Sequence, residues 1–361
     1  MFNEIFKNKR VVVTGHTGFK GSWLSAWLNL CGANVTGIAL SPPSTPSHFE
    51  CLKLKSSITD LRLDIRDAKT VTSTLKKIAP HFVFHLAAQP IVKESYVNPK
   101  DTYETNVIGT LNVLEGLRAL KNTCVAVFIT SDKAYRNHEW DWGYRENDEL
   151  GGSDPYSASK AAAELLIRSH VNSFFNDEKT FIKIGIGRAG NVIGGGDWAE
   201  SRIIPDCIRS WSTNQTAIIR RPTSTRPWQH VLEPLSGYLF LAKALALGKS
   251  MHGEPFNFGP TQTDNHSVMD VANALKNYLP DFNWKDNCEH LDTIEEAGLL
   301  KLNCDKALSR LDWRAILSFD ETIQFTADWY KDYYSKPKEI DKTTNQQIKL
   351  YIKLLENRLL G

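Results

Sequence analysis

Arg10-Val11-Val12-Val13-Thr14-Gly15-His16-Thr17-Gly18-Phe19-Lys20-Gly21 is the stretch whose reading decides the fold. Its valine run is apolar throughout, as a parallel strand must be when helices cover both faces of its sheet. Glycines at 15, 18 and 21 follow at once and lead into a helix-like run over 19–31. That spacing permits a tight turn, lets backbone approach a pyrophosphate, and lets the helix pack close to the sheet. The helix start then offers free N–H groups and a positive dipole end to an anion. Lys20 adds a cation to the loop. Gly15, His16, Thr17, Gly18, Phe19, Lys20 and Gly21 therefore form a candidate dinucleotide cradle.

Working outward, short apolar runs alternate with helical stretches. Strands are expected at 10–14, 34–39, 58–63, 82–86, 125–130 and 181–186, with helices near 19–31, 67–79, 101–120 and 156–173. Alternation of this kind implies parallel strands joined by crossovers. The fold class is thus α/β, a Rossmann-type doubly wound parallel sheet with a smaller C-terminal substrate lobe. Residues 1–187 form the cofactor-binding unit, with a returning segment at about 228–250. Residues 188–227 and 251–335 form the lobe, and 336–361 a helical tail. In that tail Ile348, Tyr351, Ile352, Leu355 and Leu359 share one helical face, suited to packing on the body or on a second subunit.

Composition narrows the function classes. The 361 residues are 42% hydrophobic and 23% charged, with a net charge of +2. Basic residues are spread along the chain, which argues against nucleic acid as a partner. The six cysteines, at 31, 51, 124, 207, 288 and 304, form no metal-binding pattern. Scattered thiols without a leader-like start are expected of a cytoplasmic protein. No apolar run approaches a membrane span.

An acidic residue normally follows the second strand of a dinucleotide fold and binds the adenosine ribose. Here the stretch reads Ile38-Ala39-Leu40-Ser41-Pro42-Pro43, with neither a carboxylate nor an arginine for a 2′-phosphate. NAD is preferred over NADP, with weak or exchangeable binding. Asp64 is placed to hold the adenine amino group or to cap the next helix.

Tyr156 and Lys160 lie four apart in Asp154-Pro155-Tyr156-Ser157-Ala158-Ser159-Lys160, so they share a helix face. A phenol with a pKa of about 10 is a poor base. A neighbouring ammonium and a cationic nicotinamide favour the phenolate and make Tyr156 a general base. Ser131-Asp132-Lys133 falls at the expected carboxyl end of the fifth strand, where chemistry collects in open α/β sheets. Ser131 is suited to bonding a reacting hydroxyl, and Asp132 to acting as an acid if a dry site raises its pKa.

These residues resemble the extended short-chain dehydrogenase/reductase superfamily and, within it, the nucleotide-sugar 4,6-dehydratases. The likeness spans roughly residues 8–335. It includes the glycine loop, His85-Leu86-Ala87-Ala88-Gln89, Thr105-Asn106-Val107-Ile108-Gly109-Thr110, the Tyr156/Lys160 pair, Arg188-x-x-Asn191 and Arg226-x-Trp228-x-His230-Val231. Ser131 and Asp132 match the dehydratase pattern, but Lys133 stands where a glutamate is usual. The resemblance implies bound NAD, lined also by Ile65, Leu86, Ala87, Ala88 and Thr105. It implies a nucleotide-sugar substrate, gripped at its pyrophosphate by Asn191 and Arg226, with Arg202 a further candidate. The implied reaction is redox-neutral. C4 is oxidised with Tyr156 as base, water is lost across C5 and C6 with Asp132 as acid, and hydride returns to C6. Lys133 is implied either as the base at C5 or as a stabiliser of the enolate. His85 is expected to pack beneath the loop. Trp198, Trp228 and His230 suit a nucleotide pocket or a core equally. Assembly as a homodimer or homotetramer through the helices near 101–120 and 156–173 is implied as well. The rival readings are a nucleotide-sugar 4-epimerase, which needs no Asp132, and a non-catalytic dinucleotide sensor.

Overall fold

A computed structural model describes residues 2–176, 180–261, 265–286 and 299–360. Seven strands form one sheet: β1 (Arg10–Thr14), β2 (Asn34–Ala39), β3 (Thr59–Arg62), β4 (Phe82–His85), β5 (Cys124–Ile129), β6 (Ile182–Ala189) and β7 (Pro255–Phe258). Their order is β7-β6-β5-β4-β1-β2-β3, and every pairing is parallel. The six strands expected from sequence are present within a few residues. The seventh, Pro255–Phe258, comes from the stretch grouped above with the lobe. It is edge-paired to β6, a placement that four residues without an obvious period did not reveal.

Side chains alternate between two cores, as the pleat requires. Val12 faces a cluster with Val71, Leu75, Val113, Leu117 and Ile167. Val11 and Val13 face the other, with Trp23, Trp27, Leu235 and Leu239. Fully burying each such side chain contributes about 1.5–3 kcal/mol. The first cluster is covered by α2 (Ala68–Ile78), α3 (Gly109–Arg118) and α4 (Pro155–His170). The second is covered by α1 (Phe19–Leu30) and by α6 (Leu232–Ala246), the returning helix.

Helix starts follow local chemistry. Asp67 caps α2 by accepting from the Thr70 N–H. Asp154 caps α4 by accepting from Ser157, with Pro155 in the first turn. The N-cap of α1 is Gly18, with no side-chain cap. Its first-turn N–H groups are therefore left for a ligand.

Three short strand pairs lie outside the seven-stranded sheet: Val192–Ile193 with Gln229–His230, Thr225–Arg226 with His266–Ser267, and Ala217–Ile219 with Trp284–Asp286. α5 (Ile203–Ser212) packs on the last pair. Helix α7 (Phe319–Ser335) and the tail helix α8 (Ile340–Leu360) return to the body. Ile348, Tyr351 and Leu355 are buried in the second core, while the Leu359 side chain lies outside the described residues. The tail thus packs on its own chain.

Candidate active site

The glycine loop is a cradle built by close approach. Gly15 has φ +74°, and a Cβ there would lie 2.8 Å from the Ala87 nitrogen. A Cβ on Gly21 would lie 2.1 Å from the Gly15 carbonyl oxygen. The loop therefore closes on itself and on Leu86-Ala87. Thr14 ties the two together: its hydroxyl accepts from the Ala87 N–H at 3.1 Å and meets His85 at 2.8 Å. His85 reaches on to Thr110 at 3.1 Å, and burial holds its pKa down to about 3. It is a neutral strut beneath the loop. Ile65 is buried against Gly109. Ala88 is half-buried just past the strut, and Thr105 lies in a π-helical turn leading into α3.

After β2, the place of the expected acid is organised differently. His16 is buried over Gly37, where a Cβ would sit 2.2 Å from its ring, and its Nε2 meets Asp60 at 2.8 Å. Asp60 also accepts from Arg62. Arg62 reaches the Leu40 carbonyl at 2.8 Å, and Thr17 the same oxygen at 3.1 Å. Asp64 pairs with Arg66 at 2.7 Å, and that bond lowers its pKa. The capping role considered for Asp64 falls to Asp67, because the helix starts one residue after Asp67.

Catalytic candidates converge at the ends of β5 and α4. The Ser131 hydroxyl donates to Asp132 Oδ1 at 2.9 Å and accepts from the Lys133 N–H at 3.2 Å. This caps a short 3-10 turn, Asp132–Ala134. Ser131 also faces the Tyr156 phenol and draws its pKa down. Asp132 is buried, and its Oδ2 has no partner. Burial pushes its carboxyl up, against the pull of Lys133, Ser131 and Arg226. Tyr156 differs from the sequence expectation. Burial dominates and pushes it up to about 12, opposed by Ser131 and Arg202. Lys160 is drawn down to about 8 by burial and by Lys20, while Glu164 opposes. Lys20 faces the same centre, with Arg202 and Asp132 acting on it, and burial takes it to about 8.

Substrate candidates ring this floor. Arg226 is buried and donates to the Thr225 carbonyl at 2.8 Å. Asn191 is half-buried, with its carbonyl accepting from Gln229 at 3.1 Å. Arg202 is gripped by Asp197 at 2.8 Å. Asp197 sits in the loop after Gly194-Gly195-Gly196, a glycine run that reads as a loop from sequence. A Cβ on Gly195 would come within 2.0 Å of Trp329, and one on Gly196 within 2.4 Å of His48. Trp23 donates to the Gly195 carbonyl at 2.9 Å. The glycines are demanded by this aromatic packing, which aims Asp197 at Arg202. Trp198, Trp228 and His230 are buried, and Trp198 sits edge-on to Trp329, Tyr330 and Tyr333. Trp198 and Trp228 belong to the second core.

Sequence reading missed Glu164, Tyr135 and Asp197. Glu164 is one turn beyond Lys160, the single clue available. Among the described residues, no group of three or more His, Cys, Asp or Glu side chains is arranged to hold a metal. Cys31, Cys51, Cys124, Cys207 and Cys304 are free thiols, and Cys288 lies outside the described residues.

Comparison with known proteins adds to this geometry. A family model described as GDP-mannose 4,6 dehydratase matches residues 12–326. The CDP-glucose 4,6-dehydratase of Salmonella typhimurium is 46% identical over 336 residues, covering 91% of this chain and 92% of that protein. Among solved structures, the epimerase Mth375 of Methanothermobacter thermautotrophicus superposes with a TM-score of 0.78 at 23% identity, covering 94% of this chain and 96% of that one. A dTDP-glucose 4,6-dehydratase from Bacillus anthracis in complex with NAD gives 0.72 at 19% identity, covering 90% and 97%. These two structures bear on the fold. With a family match across most of its length, the chain belongs to the GDP-mannose 4,6-dehydratase family of the extended short-chain dehydrogenase/reductase superfamily.

Proposed function

We infer that this chain is an NAD-dependent lyase that converts CDP-D-glucose to CDP-4-keto-6-deoxy-D-glucose and water. The observation that carries this is the 46% identity to the Salmonella enzyme across nearly the full length of both chains. The residues present fit the cofactor: Gly15 and Gly21 leave no room for side chains, and the start of α1 has no side-chain cap. Bound there, NAD supplies the acceptor that takes hydride from C4 and gives it back to C6.

The protein's own groups do the rest. Ser131 and Tyr156 hold the C4 hydroxyl, and Tyr156 receives its proton as a general base. Arg202 already works against the burial that keeps Tyr156 protonated. A cationic nicotinamide held in the cradle would add to that pull and bring the phenol toward working range. Once C4 is a ketone, the C5 hydrogen is acidic. Lys133, on the 3-10 turn beside Asp132, takes that proton as the neutral amine and returns it from the ammonium so formed. Asp132, whose carboxyl burial pushes up, protonates the departing C6 oxygen. Arg226, Asn191 and Arg202 hold the pyrophosphate, with arginine's planar fork suited to it. A buried carboxyl at Asp132 favours dehydration over 4-epimerisation, which expels no water.

We further propose that the enzyme works in the cytoplasm as a homodimer or homotetramer. Among the described residues, no helix is long and apolar enough to cross a membrane. Tyr103, Ile108, Leu165 and Phe174 are exposed along the two helical stretches assigned to assembly.

Mass spectrometry of CDP-glucose incubated with the protein, with and without NAD⁺, tests the function. The expected product lacks one water, and no reduced cofactor accumulates. An unchanged mass with NAD⁺ present refutes the assignment.

A further inference from the structure

Behind the catalytic floor lies an ion pair that the reaction scheme leaves unused. Glu164 on α4 and Arg188 on β6 are both fully buried. Glu164 Oε1 accepts from Arg188 Nε at 2.7 Å and from the Thr130 hydroxyl at 2.7 Å, and Oε2 accepts from Arg188 Nη2 at 2.5 Å. Arg188 Nη1 donates to the Tyr135 hydroxyl at 2.5 Å and to the Glu146 carbonyl at 3.2 Å. The guanidinium also lies 4.5 Å from the centre of the Tyr135 ring.

The placement of these contacts is selective. Thr130 immediately precedes Ser131, and Tyr135 follows Lys133 by two residues. The pair therefore grips the Ser131-Asp132-Lys133 turn on both sides. Glu164 is one turn beyond Lys160 and two beyond Tyr156, so all three share a face of α4. Stability alone is a poor reason for the pair. Desolvating two charges costs several kcal/mol per ion, and well-packed apolar replacements are often as stable.

We propose that Glu164 is a positioning residue: paired with Arg188, it fixes the register of α4, and with it Tyr156 and Lys160, against the Ser131 turn. This rests on the dehydratase reading above. The charges facing Lys160 are few. Lys20 from the glycine loop opposes its protonation and Glu164 favours it. His85 from β4 is neutral, and Tyr156 lies on its own helix. Glu164 in turn faces Arg188, and Arg168 at 3.8 Å one turn further on. Without the Glu164 carboxylate, Lys160 loses its one favourable charge and deprotonates at lower pH. The active ammonium form then disappears sooner as pH rises.

The test is the pH profile of kcat/KM for CDP-glucose dehydration in wild type, Glu164→Gln and Thr130→Val. Wild type is measured first; if it is inactive on CDP-glucose, the functional reading falls, not this one. Glu164→Gln is expected to move the alkaline limb acidward by about one pH unit. It should lower kcat at least ~10-fold while KM and NAD⁺ affinity stay within about two-fold. Thr130→Val keeps the charge and loosens the turn, so kcat should fall with the limb in place. If Glu164→Gln does not fold, the neutral pair Glu164→Gln/Arg188→Met carries the same measurement. An unmoved limb in a folded Glu164 variant, or full kcat in Thr130→Val, overturns the proposal.

Discussion

Replacing Asp132 by asparagine separates the two halves of the proposed reaction. The change is isosteric. The Ser131 hydroxyl, now 2.9 Å from Asp132 Oδ1, keeps an acceptor in the amide oxygen. The other oxygen has no partner to lose, and it faces Gly190, where a Cβ would lie 3.0 Å away. The fold should therefore tolerate the change within about 1 kcal/mol, as for other volume-conserving swaps. What disappears is the proton for the leaving C6 oxygen. General acid catalysis is worth about 100- to 10,000-fold, or roughly 3–5 kcal/mol of barrier. Asp132→Asn should thus still oxidise C4 when mixed with CDP-glucose and NAD⁺. Reduced nicotinamide should appear in a single turnover and persist, while water loss slows by that factor. Stopped-flow absorbance reports the first step and quenched mass spectrometry the second. Normal dehydration in the variant would remove Asp132 from its role as the acid. Loss of the oxidation step as well would place Asp132 in C4 chemistry.

Other perturbations follow from the same contacts. Gly21→Ala puts a Cβ 2.1 Å from the Gly15 carbonyl. Overpacking of about 1–3 kcal/mol should weaken NAD⁺ binding by roughly 10- to 100-fold, read by calorimetric titration. Gly195→Ala collides with Trp329 at 2.0 Å; a Tm lower by several degrees is expected, with KM for the nucleotide sugar raised as Asp197 moves from Arg202. Glu233 is buried beneath the tail, accepting from the Ile316 and Leu317 N–H groups and from Tyr351. Burial raises its pKa from 4.5 to about 7. A raised carboxyl stabilises the fold fully below the unfolded pKa, and that stability is lost as pH rises through the folded pKa. Wild type should therefore lose roughly 3 kcal/mol between those two values, and Glu233→Gln should flatten this part of the stability curve in denaturant titrations.

Legibility in the sequence followed the range of the interactions. The glycine loop, the six strands expected from sequence and the Tyr156/Lys160 pair are written in local spacing, and each lies close to where the pattern puts it. Pro255–Phe258 was not legible because its partner, β6, is some seventy residues earlier. The Gly194-Gly195-Gly196 run read as a loop, but its reason lies in Trp329 and His48, which no neighbouring residue announces. Asp64 carried a capping signal that Asp67, three residues on, carries better. The Tyr156 expectation invoked a nearby ammonium, whereas burial by distant segments outweighs it in the protein alone. Glu164 could be placed on a helix face, but its partners come from distant segments: Thr130 just past β5, and Arg188 within β6.

The most direct test of the C4 route is an isotope transfer. CDP-glucose carrying deuterium at C4 is converted by the protein with unlabelled NAD⁺, and the product is examined by NMR. Oxidation at C4 with hydride return to C6 should give a 4-keto product with deuterium on its new methyl group and one water lost. Deuterium washed into solvent, or retained at C4 in a sugar that keeps its C6 oxygen, would contradict it.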